Sequence, residues 1–309
     1  NKLLKQLRIK KLIIICGPTG IGKTKLSIKL AKYLNCEIIS ADSRQFYREM
    51  LIGTCPPNKN QLLEVKHHFI HNISIQNNYS AGLYQKDVLK IINKIFEKYN
   101  VIIAVGGSGM YIDAICNKLD DIPASCKKTR SKIISIFEKK GIQWLRNQVN
   151  KYDKKFYEKV DKNNHQRMIR ALEVYEISGK PISSFHNEKN LKNDYQILKF
   201  GLRTDRDALY SQINKRVDLM VDQGLIEEAK KLYDYRNLNA LDTVGYKELF
   251  NYIEGAISKK DAINLIKRNS RRYAKRQITW FKKFKDIHWI EKTDEAKMLE
   301  IILQSLQSL

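Results

Sequence analysis

The residues best suited to chemistry form one short segment near the start of the chain. They fit the pattern G-x-x-x-x-G-K-[ST] and read Gly17, Pro18, Thr19, Gly20, Ile21, Gly22, Lys23, Thr24. In such a loop the backbone N–H groups surround phosphate oxygens, the lysine adds positive charge, and the threonine can hold Mg²⁺. The alternative is a glycine-rich turn without a ligand. The motif predicts that these eight residues bind a diphosphate or triphosphate, with Mg²⁺ as a cofactor held by Thr24.

A carboxylate, Asp42, follows the apolar residues Ile38 and Ile39 and the small residues Ser40 and Ala41. This pattern places Asp42 just beyond a strand, where it could bind Mg²⁺ or act as a general base. A purely structural role, capping the next turn, is the alternative.

A third apolar run ends in Gly106, Gly107 and Ser108 instead of an acidic residue. Many ATPases place an aspartate at this point to hold Mg²⁺. Its absence argues against a motor ATPase or a GTPase. The glycines allow a substrate to approach the backbone closely, although they would also suit an ordinary strand-to-helix turn.

Phosphate loops and strand-end carboxylates need a sheet to bring them together. Apolar runs at 12–16, 37–40, 101–105, 196–202 and 287–290 alternate with helical patterns. Such alternation predicts an α/β fold, a parallel sheet covered by helices that resembles P-loop NTPases. Ligands then lie at the carboxyl ends of the strands.

The strand signal disappears in the middle of the chain, which predicts an inserted all-helical domain at 117–194. The core is then formed in two parts, 1–116 and 195–309. Within the insertion, helices are expected at 130–138, 142–149 and 166–177, the last ending at Gly179 before Pro181. Further helices are predicted at 205–222, 225–235 and 261–283.

Arginines on the predicted helices are candidate nucleic-acid contacts. Arg167 and Arg170 are three residues apart and therefore share a helix face, which suits phosphate or base contacts or simply a solvated surface. The final helix is basic with interleaved aromatic residues, a composition that suits nucleic-acid binding as well as packing. Nothing local distinguishes Arg216 from a surface arginine.

The net charge of the chain is +24, with 57 Lys and Arg against 33 Asp and Glu. This excess indicates a polyanionic partner, nucleic acid first, although a lysine-rich composition would also explain part of it.

Five scattered cysteines, odd in number and without C-x-x-C spacing, are typical of a reducing cytoplasm. His67 and His71 are four residues apart, but without a carboxylate motif they are interpreted as packing or surface residues. No apolar run approaches the roughly 20 residues that span a bilayer, so no membrane association is expected.

Taken together, six segments resemble the tRNA dimethylallyltransferases, also called tRNA isopentenyltransferases, in their bacterial form. The resemblance extends from about Lys11 to Glu291. It depends on the phosphate loop and on ISADSRQFY at 39–47, VGGSGMY at 105–111, NHQRMIRALE at 164–173, VGYKE at 244–248 and AKRQITW at 274–280.

The resemblance implies transfer of a dimethylallyl group from its diphosphate to N6 of the adenosine at position 37 of tRNA, next to the anticodon. Asp42 would take the amine proton, and Thr24 with Mg²⁺, together with Lys23 and Arg216, would stabilise the departing pyrophosphate. The implied tRNA contacts, with the anticodon stem-loop, are Asp42, Ser43, Arg44, Gln45, Ser108, Arg130, Gln166, Arg167, Met168, Ile169 and Arg170. A cytoplasmic monomer is expected.

The chain departs from this family's pattern at several positions, including 68–71, where HFIH lacks the acid of the family's His-His-x-Ile-Asp pattern. Asp242 stands where many bacterial members have arginine, and Ser108 replaces a common threonine. Three alternatives stay open on the sequence: a P-loop kinase of small molecules or nucleotides, an isopentenyltransferase of free adenine nucleotides, and a nucleic-acid-binding module without catalysis.

Overall fold

The fold is built on a parallel β-sheet of six strands in the order β3-β2-β4-β1-β5-β6. The computed structural model describes residues 9–185 and 193–307. The strands are β1 (Lys11–Cys16), β2 (Ile38–Ser40), β3 (His67–His68), β4 (Val101–Gly106), β5 (Gln196–Arg203) and β6 (Ile287–Glu291). The predicted α/β class and parallel sheet are confirmed.

The centre of the sheet is β1, whose six residues are all buried. It pairs with β4 on one side and β5 on the other, so that Lys11 lies opposite both Val101 and Gln196. A strand buried on both faces requires helices on both faces, which explains why its sequence, KLIIIC, is nearly all apolar.

Helices connect the strands and cover the sheet. In the core these helices are α1 (Lys23–Leu34), α2 (Lys59–Glu64), α3 (Ala81–Phe96), α4 (Gly109–Cys116), α8 (Arg206–Asp222), α9 (Leu225–Leu232), α10 (Tyr246–Ile253), α11 (Lys259–Phe281) and α12 (Glu295–Gln307). No helix within 9–185 or 193–307 is long and apolar enough to cross a membrane.

The chain divides into two compact units, Asn1–Cys116 with Lys192–Leu309, and Asn117–Leu191. The second unit contains α5 (Lys127–Tyr152), α6 (Lys154–Lys159) and α7 (His165–Ser178). Its core includes Leu145, Val149 and Met168.

Three element predictions need correction. The edge strand β3 was missed because it has two residues, which join the sheet only by pairing with Ile38 and Ile39. The helices predicted at 130–138 and 142–149 are two segments of α5, divided at Gly141 by a φ of 75°. The helix predicted at 225–235 ends at Leu232 and continues as a 3₁₀ turn. The basic residues at 1–8 and positions 186–192 of the predicted insertion lie outside the described residues.

Candidate functional site

A cavity of about 560 Å³ lies in the first unit at the carboxyl ends of β1, β2 and β4. Parallel strands bring these three ends to one edge of the sheet, as expected for α/β folds. The residues that line the cavity include Thr19, Lys23, Thr24, Asp42, Ser43, Arg44, Gln45, Gly106, Gly107 and Arg216.

The phosphate loop connects β1 to α1 in the predicted strand–loop–helix order. Gly17, Gly20 and Gly22 have positive φ values of 143°, 81° and 104°, which L-residues with side chains rarely adopt. Ile21 is fully buried in the main core, so its side chain anchors the loop and contributes only backbone to any ligand. The loop therefore has the conformation that lets amides face an anion.

Lys23 connects the loop to two other charged groups. Its Nζ donates to the carbonyl of Pro18 at 2.7 Å. Burial and the positive charge of Arg216 lower the pKa of Lys23 to about 8, against an opposing effect of Asp42. These mutual effects place two cations and a carboxylate around one cavity. Arg216 thus belongs to the site although no local sequence signal marked it.

Asp42 both caps a turn and faces the cavity, so its structural role and a chemical role are compatible. Its Oδ1 accepts the backbone N–H of Arg44 at 2.8 Å and of Gln45 at 3.2 Å. In the described structure both hydrogen bonds use this one oxygen, which leaves Oδ2 available to a substrate.

The residues after Asp42 are held by the end of β4 and by the following loop. The hydroxyl of Ser108 accepts the N–H of Ser43 at 3.0 Å. The side-chain amide of Gln45 accepts from Ser40 at 3.1 Å and donates to the carbonyl of Cys55 at 3.3 Å. The predicted contacts Ser43, Gln45 and Ser108 are therefore already held in place by hydrogen bonds within the first unit.

The basic helix α11 forms one wall of the cavity with Arg272, Tyr273, Arg276 and Gln277. Burial and the charge of Asp42 raise the pKa of Tyr273. The sequence indicated the composition of this helix but not that it reaches the phosphate loop.

Asp242, one of the departures from the family pattern expected from the sequence, forms an ion pair with Lys247. Its carbonyl also accepts from the guanidinium of Arg44 at 3.4 Å. All three residues line the cavity, so this edge keeps cationic groups despite the substitution.

In the second unit, a fully buried carboxylate organises the predicted tRNA contacts. Glu173 accepts from Arg130 at 3.2 Å and from Arg170 at 3.0 Å. Burial would raise the pKa of Glu173, but hydrogen bonds from Ser125 and Arg170 and the charge of Arg170 outweigh it and lower that pKa. Arg130 also donates to Gln166 at 2.7 Å. Sequence reasoning missed the role of Glu173, because a buried acid on a helix has no signature of its own.

Two residues among the predicted tRNA contacts have buried side chains. Met168 and Ile169 are buried in the core of the second unit because they lie on the apolar face of α7. Arg167 is exposed, whereas Arg170 is half-buried and also donates to the carbonyl of Pro123. The two arginines therefore differ in their surroundings.

The cavity offers a Mg²⁺ ion a hydroxyl from Thr24 and a carboxylate from Asp42. Mg²⁺ usually binds one or two carboxylates together with substrate phosphates and water, so this donor set fits the ion only alongside a phosphate ligand. Within the described residues there is no cluster of three or more His, Cys, Asp or Glu that could hold a metal by itself.

Residues 45–284 match the model of the family described as IPP transferase. The chain belongs to the IPP transferase family. Among similar members, the tRNA dimethylallyltransferase of Christiangramia forsetii is 47% identical over 294 residues, covering 95% of this chain and 97% of that one. The tRNA dimethylallyltransferase 1 of Bacteroides fragilis is 41% identical over 298 residues, covering 96% and 99%.

Solved IPP transferase structures have the same fold. The full-length tRNA isopentenylpyrophosphate transferase of Bacillus halodurans superposes with a TM-score of 0.71 at 37% identity, covering 97% of this chain and 96% of that one. A eukaryotic dimethylallyltransferase, in a structure described as acting on tRNA, superposes with a TM-score of 0.76 at 29% identity, covering 93% and 75%.

Proposed function

We propose that this protein is a tRNA dimethylallyltransferase, transferring the dimethylallyl group of dimethylallyl diphosphate to N6 of adenosine 37 in tRNA and releasing pyrophosphate. One observation carries the assignment. The cavity beside the phosphate loop combines the cations Lys23 and Arg216 with the carboxylate Asp42. The cations suit a diphosphate, and the carboxylate suits an amine that must lose a proton.

The proposed reaction is a single displacement. The N6 lone pair attacks C1 of the dimethylallyl group, and the bond between C1 and the diphosphate oxygen breaks with its electron pair leaving on pyrophosphate. The N6 proton passes to Oδ2 of Asp42. Because Oδ1 of Asp42 is held by two backbone amides, the base keeps a fixed orientation during the transfer.

Charge builds up on the leaving pyrophosphate, and the proposed counter-charges are Lys23, Arg216 and the amides of the phosphate loop. Thr24 would hold Mg²⁺ beside the phosphates, and the ion would supply further positive charge there.

The tRNA would be recognised at its anticodon stem-loop by polar side chains of both units. Arg130, Gln166 and Arg167 in the second unit, and Arg272 and Arg276 on α11, are the proposed contacts with phosphates and bases. Removing the target base from its stack would bring N6 to Asp42. A monomer in the cytoplasm, as expected from the sequence, is part of the same proposal.

A P-loop kinase is the second candidate, favoured by the loop alone. Its weakness is the end of β4, where Gly106, Gly107 and Ser108 offer no carboxylate to a metal-bound triphosphate. If free adenine nucleotides were the acceptors in place of tRNA, the basic residues of the second unit and of α11 would have no binding role.

The test incubates the protein and Mg²⁺ with labelled dimethylallyl diphosphate and one acceptor at a time: unmodified tRNA, the same tRNA with guanosine at position 37, or AMP. We expect label in the unmodified tRNA alone, without ATP. Transfer to AMP would favour the nucleotide isopentenyltransferase. ATP turnover without transfer of label would favour the kinase.

A further inference from the structure

Gln277 joins three parts of the cavity wall. It lies on α11, and its side chain is only 6% exposed. Its Oε1 accepts the backbone N–H of Thr19 in the phosphate loop at 2.8 Å. Its Nε2 donates to the carbonyl of Gly107, just after β4, at 2.9 Å. Both ends of the amide are thus used by backbone groups from different loops.

The contact depends on close packing of α11 against the end of β4. A Cβ on Gly107 would overlap the amide of Gln277, and a Cβ on Gly109 would overlap the indole of Trp280, one turn further along α11. Glycine at these two positions therefore lets the helix approach closely enough for Gln277 to span the gap.

The hydrogen bond from the Thr19 N–H to Gln277 restrains the conformation of the phosphate loop. Thr19 occupies the variable part of the loop, four residues before the cavity lysine Lys23. Its N–H is directed to Gln277, and this fixes one peptide plane in a loop where several glycines would otherwise allow many conformations.

We propose that Gln277 is a positioning residue that fixes the diphosphate loop and connects it to α11, whose Tyr273 and Arg276 face the same cavity. This inference rests on the proposed function, because it names the diphosphate subsite of that reaction. Gln277 does not touch the reacting atoms in this scheme. Its loss is expected to weaken use of the diphosphate while leaving tRNA affinity nearly unchanged.

The chemistry requires an acceptor and a donor on one side chain. Methionine keeps the length of glutamine but has no N–H donor and only a weak acceptor. Ionised glutamate accepts from Thr19 but sets a carboxylate against the Gly107 carbonyl. Protonated glutamate again both accepts and donates. A Gln277→Glu variant should therefore recover as the pH falls, a response that simple loss of packing would not produce.

The experiment compares wild type, Gln277→Met, Gln277→Glu and Gln212→Met in the transfer assay with tRNA. Gln212 is a half-buried glutamine of α8 that accepts from Lys292 and serves as the matched control. For Gln277→Met we expect KM for dimethylallyl diphosphate to rise about tenfold or more, from two lost hydrogen bonds, with KM for tRNA within about twofold. Calorimetry with pyrophosphate alone should give a parallel loss of affinity.

The deficit of Gln277→Glu relative to wild type should shrink as the pH is lowered from about 8 to about 6, because burial at this position would raise the pKa of the introduced carboxyl above its ordinary value of about 4.3. The ratio of variant to wild type at each pH cancels the pH dependence that both proteins share. A constant ratio in a folded variant would overturn the proposal, as would an equal rise in both KM values. If Gln277→Met does not fold, the pH dependence of the Gln277→Glu to wild-type ratio is the test of the proposal. Wild type that transfers no label refutes the proposed function instead, whereas active wild type with unaffected variants refutes only the role of Gln277.

Discussion

The two oxygens of Asp42 have separate tasks. Oδ1 accepts two backbone N–H groups and shapes the turn that follows β2, while Oδ2 faces the substrate in the proposed reaction. Substitution by asparagine can keep the first task, because an amide oxygen also accepts hydrogen bonds. The second task is lost, because an amide is not a base at neutral pH. The two roles of this residue can therefore be separated experimentally.

For Asp42→Asn we expect kcat to fall by about 10²-fold or more, as is typical when a general base is removed. Affinity for tRNA should stay close to wild type because the turn is kept. Single-turnover transfer and filter binding measure the two quantities. Asp222→Asn, an exposed aspartate at the end of α8, is the control. Near-normal transfer by a folded Asp42→Asn protein would exclude Asp42 as the base.

Lys23 gives a second test at this scale, through pH. Burial and Arg216 lower its pKa to about 8, so in the free protein the ammonium loses its proton as the pH rises through that value. Binding an anion requires the charged form. Affinity for pyrophosphate should therefore decline above about pH 8 in wild type, and Lys23→Met should bind weakly without this decline. Calorimetry from about pH 7 to about pH 9.5 measures it, and the same decline in both proteins would contradict the assignment.

At the scale of elements, the second unit depends on how α7 meets the start of α5. The buried carboxylate of Glu173 accepts from the N-cap amide of Cys126 at 2.9 Å and from Arg130 and Arg170. One residue therefore fixes both the beginning of a helix and the direction of two arginines. The arginines reach their places by ion pairing within the unit, before any RNA is present.

Glu173→Gln should destabilise the second unit by about 2–4 kcal/mol at pH 7, because a buried charge pair loses one partner. The pKa of Glu173 is lowered in the folded state, so its contribution is complete above the unfolded value of about 4.3 and is lost as the pH falls through the folded value. The difference in unfolding free energy between wild type and Glu173→Gln should therefore decrease at acidic pH. Urea unfolding at several pH values checks this, with the exposed Glu176→Gln as control; a gap independent of pH would rule out the ion pairs.

Most of the sheet, the phosphate loop and the ends of a few helices could be predicted because each has a local cause. Apolar runs form strands, and Gly179 ends α7 with a φ of 69°. The rest depends on contacts distant in sequence. Gln277 hydrogen-bonds to Thr19, which lies 258 residues earlier in the chain. Arg216 comes near enough to Lys23 to affect its pKa only in the folded sheet. Such partners cannot be found by local spacing, and the resemblance to a family supplied Arg216 but not Gln277.

At the scale of the whole molecule, the net charge of +24 is the dominant property. Each lysine or arginine that neutralises a phosphate releases counterions, so affinity for tRNA should fall steeply with salt. The structure also shows which arginines to test. Arg170 is paired with Glu173, and its removal would disturb the second unit, whereas Arg167 is exposed on the same helix.

For Arg167→Ala we expect weaker tRNA binding and a decrease of about one in the slope of log affinity against log salt, the loss of one phosphate contact. Pyrophosphate affinity should not change. Titrations at several salt concentrations, with the exposed Lys94→Ala on α3 as control, measure both. An unchanged slope would mean that Arg167 only solvates its helix, and the charge excess would then be better explained by lysine-rich composition.

The central position of β1 has a consequence for biosynthesis. Lys11 of this strand pairs with Gln196 of β5, so its second neighbour lies 185 residues later in the chain. At typical translation rates of 5–20 residues per second, that neighbour leaves the ribosome about 10–40 s afterwards. Throughout that interval the apolar residues Leu12, Ile13, Ile14 and Ile15 have an unpaired edge, which makes the nascent chain a substrate for chaperones and its translation speed a determinant of yield.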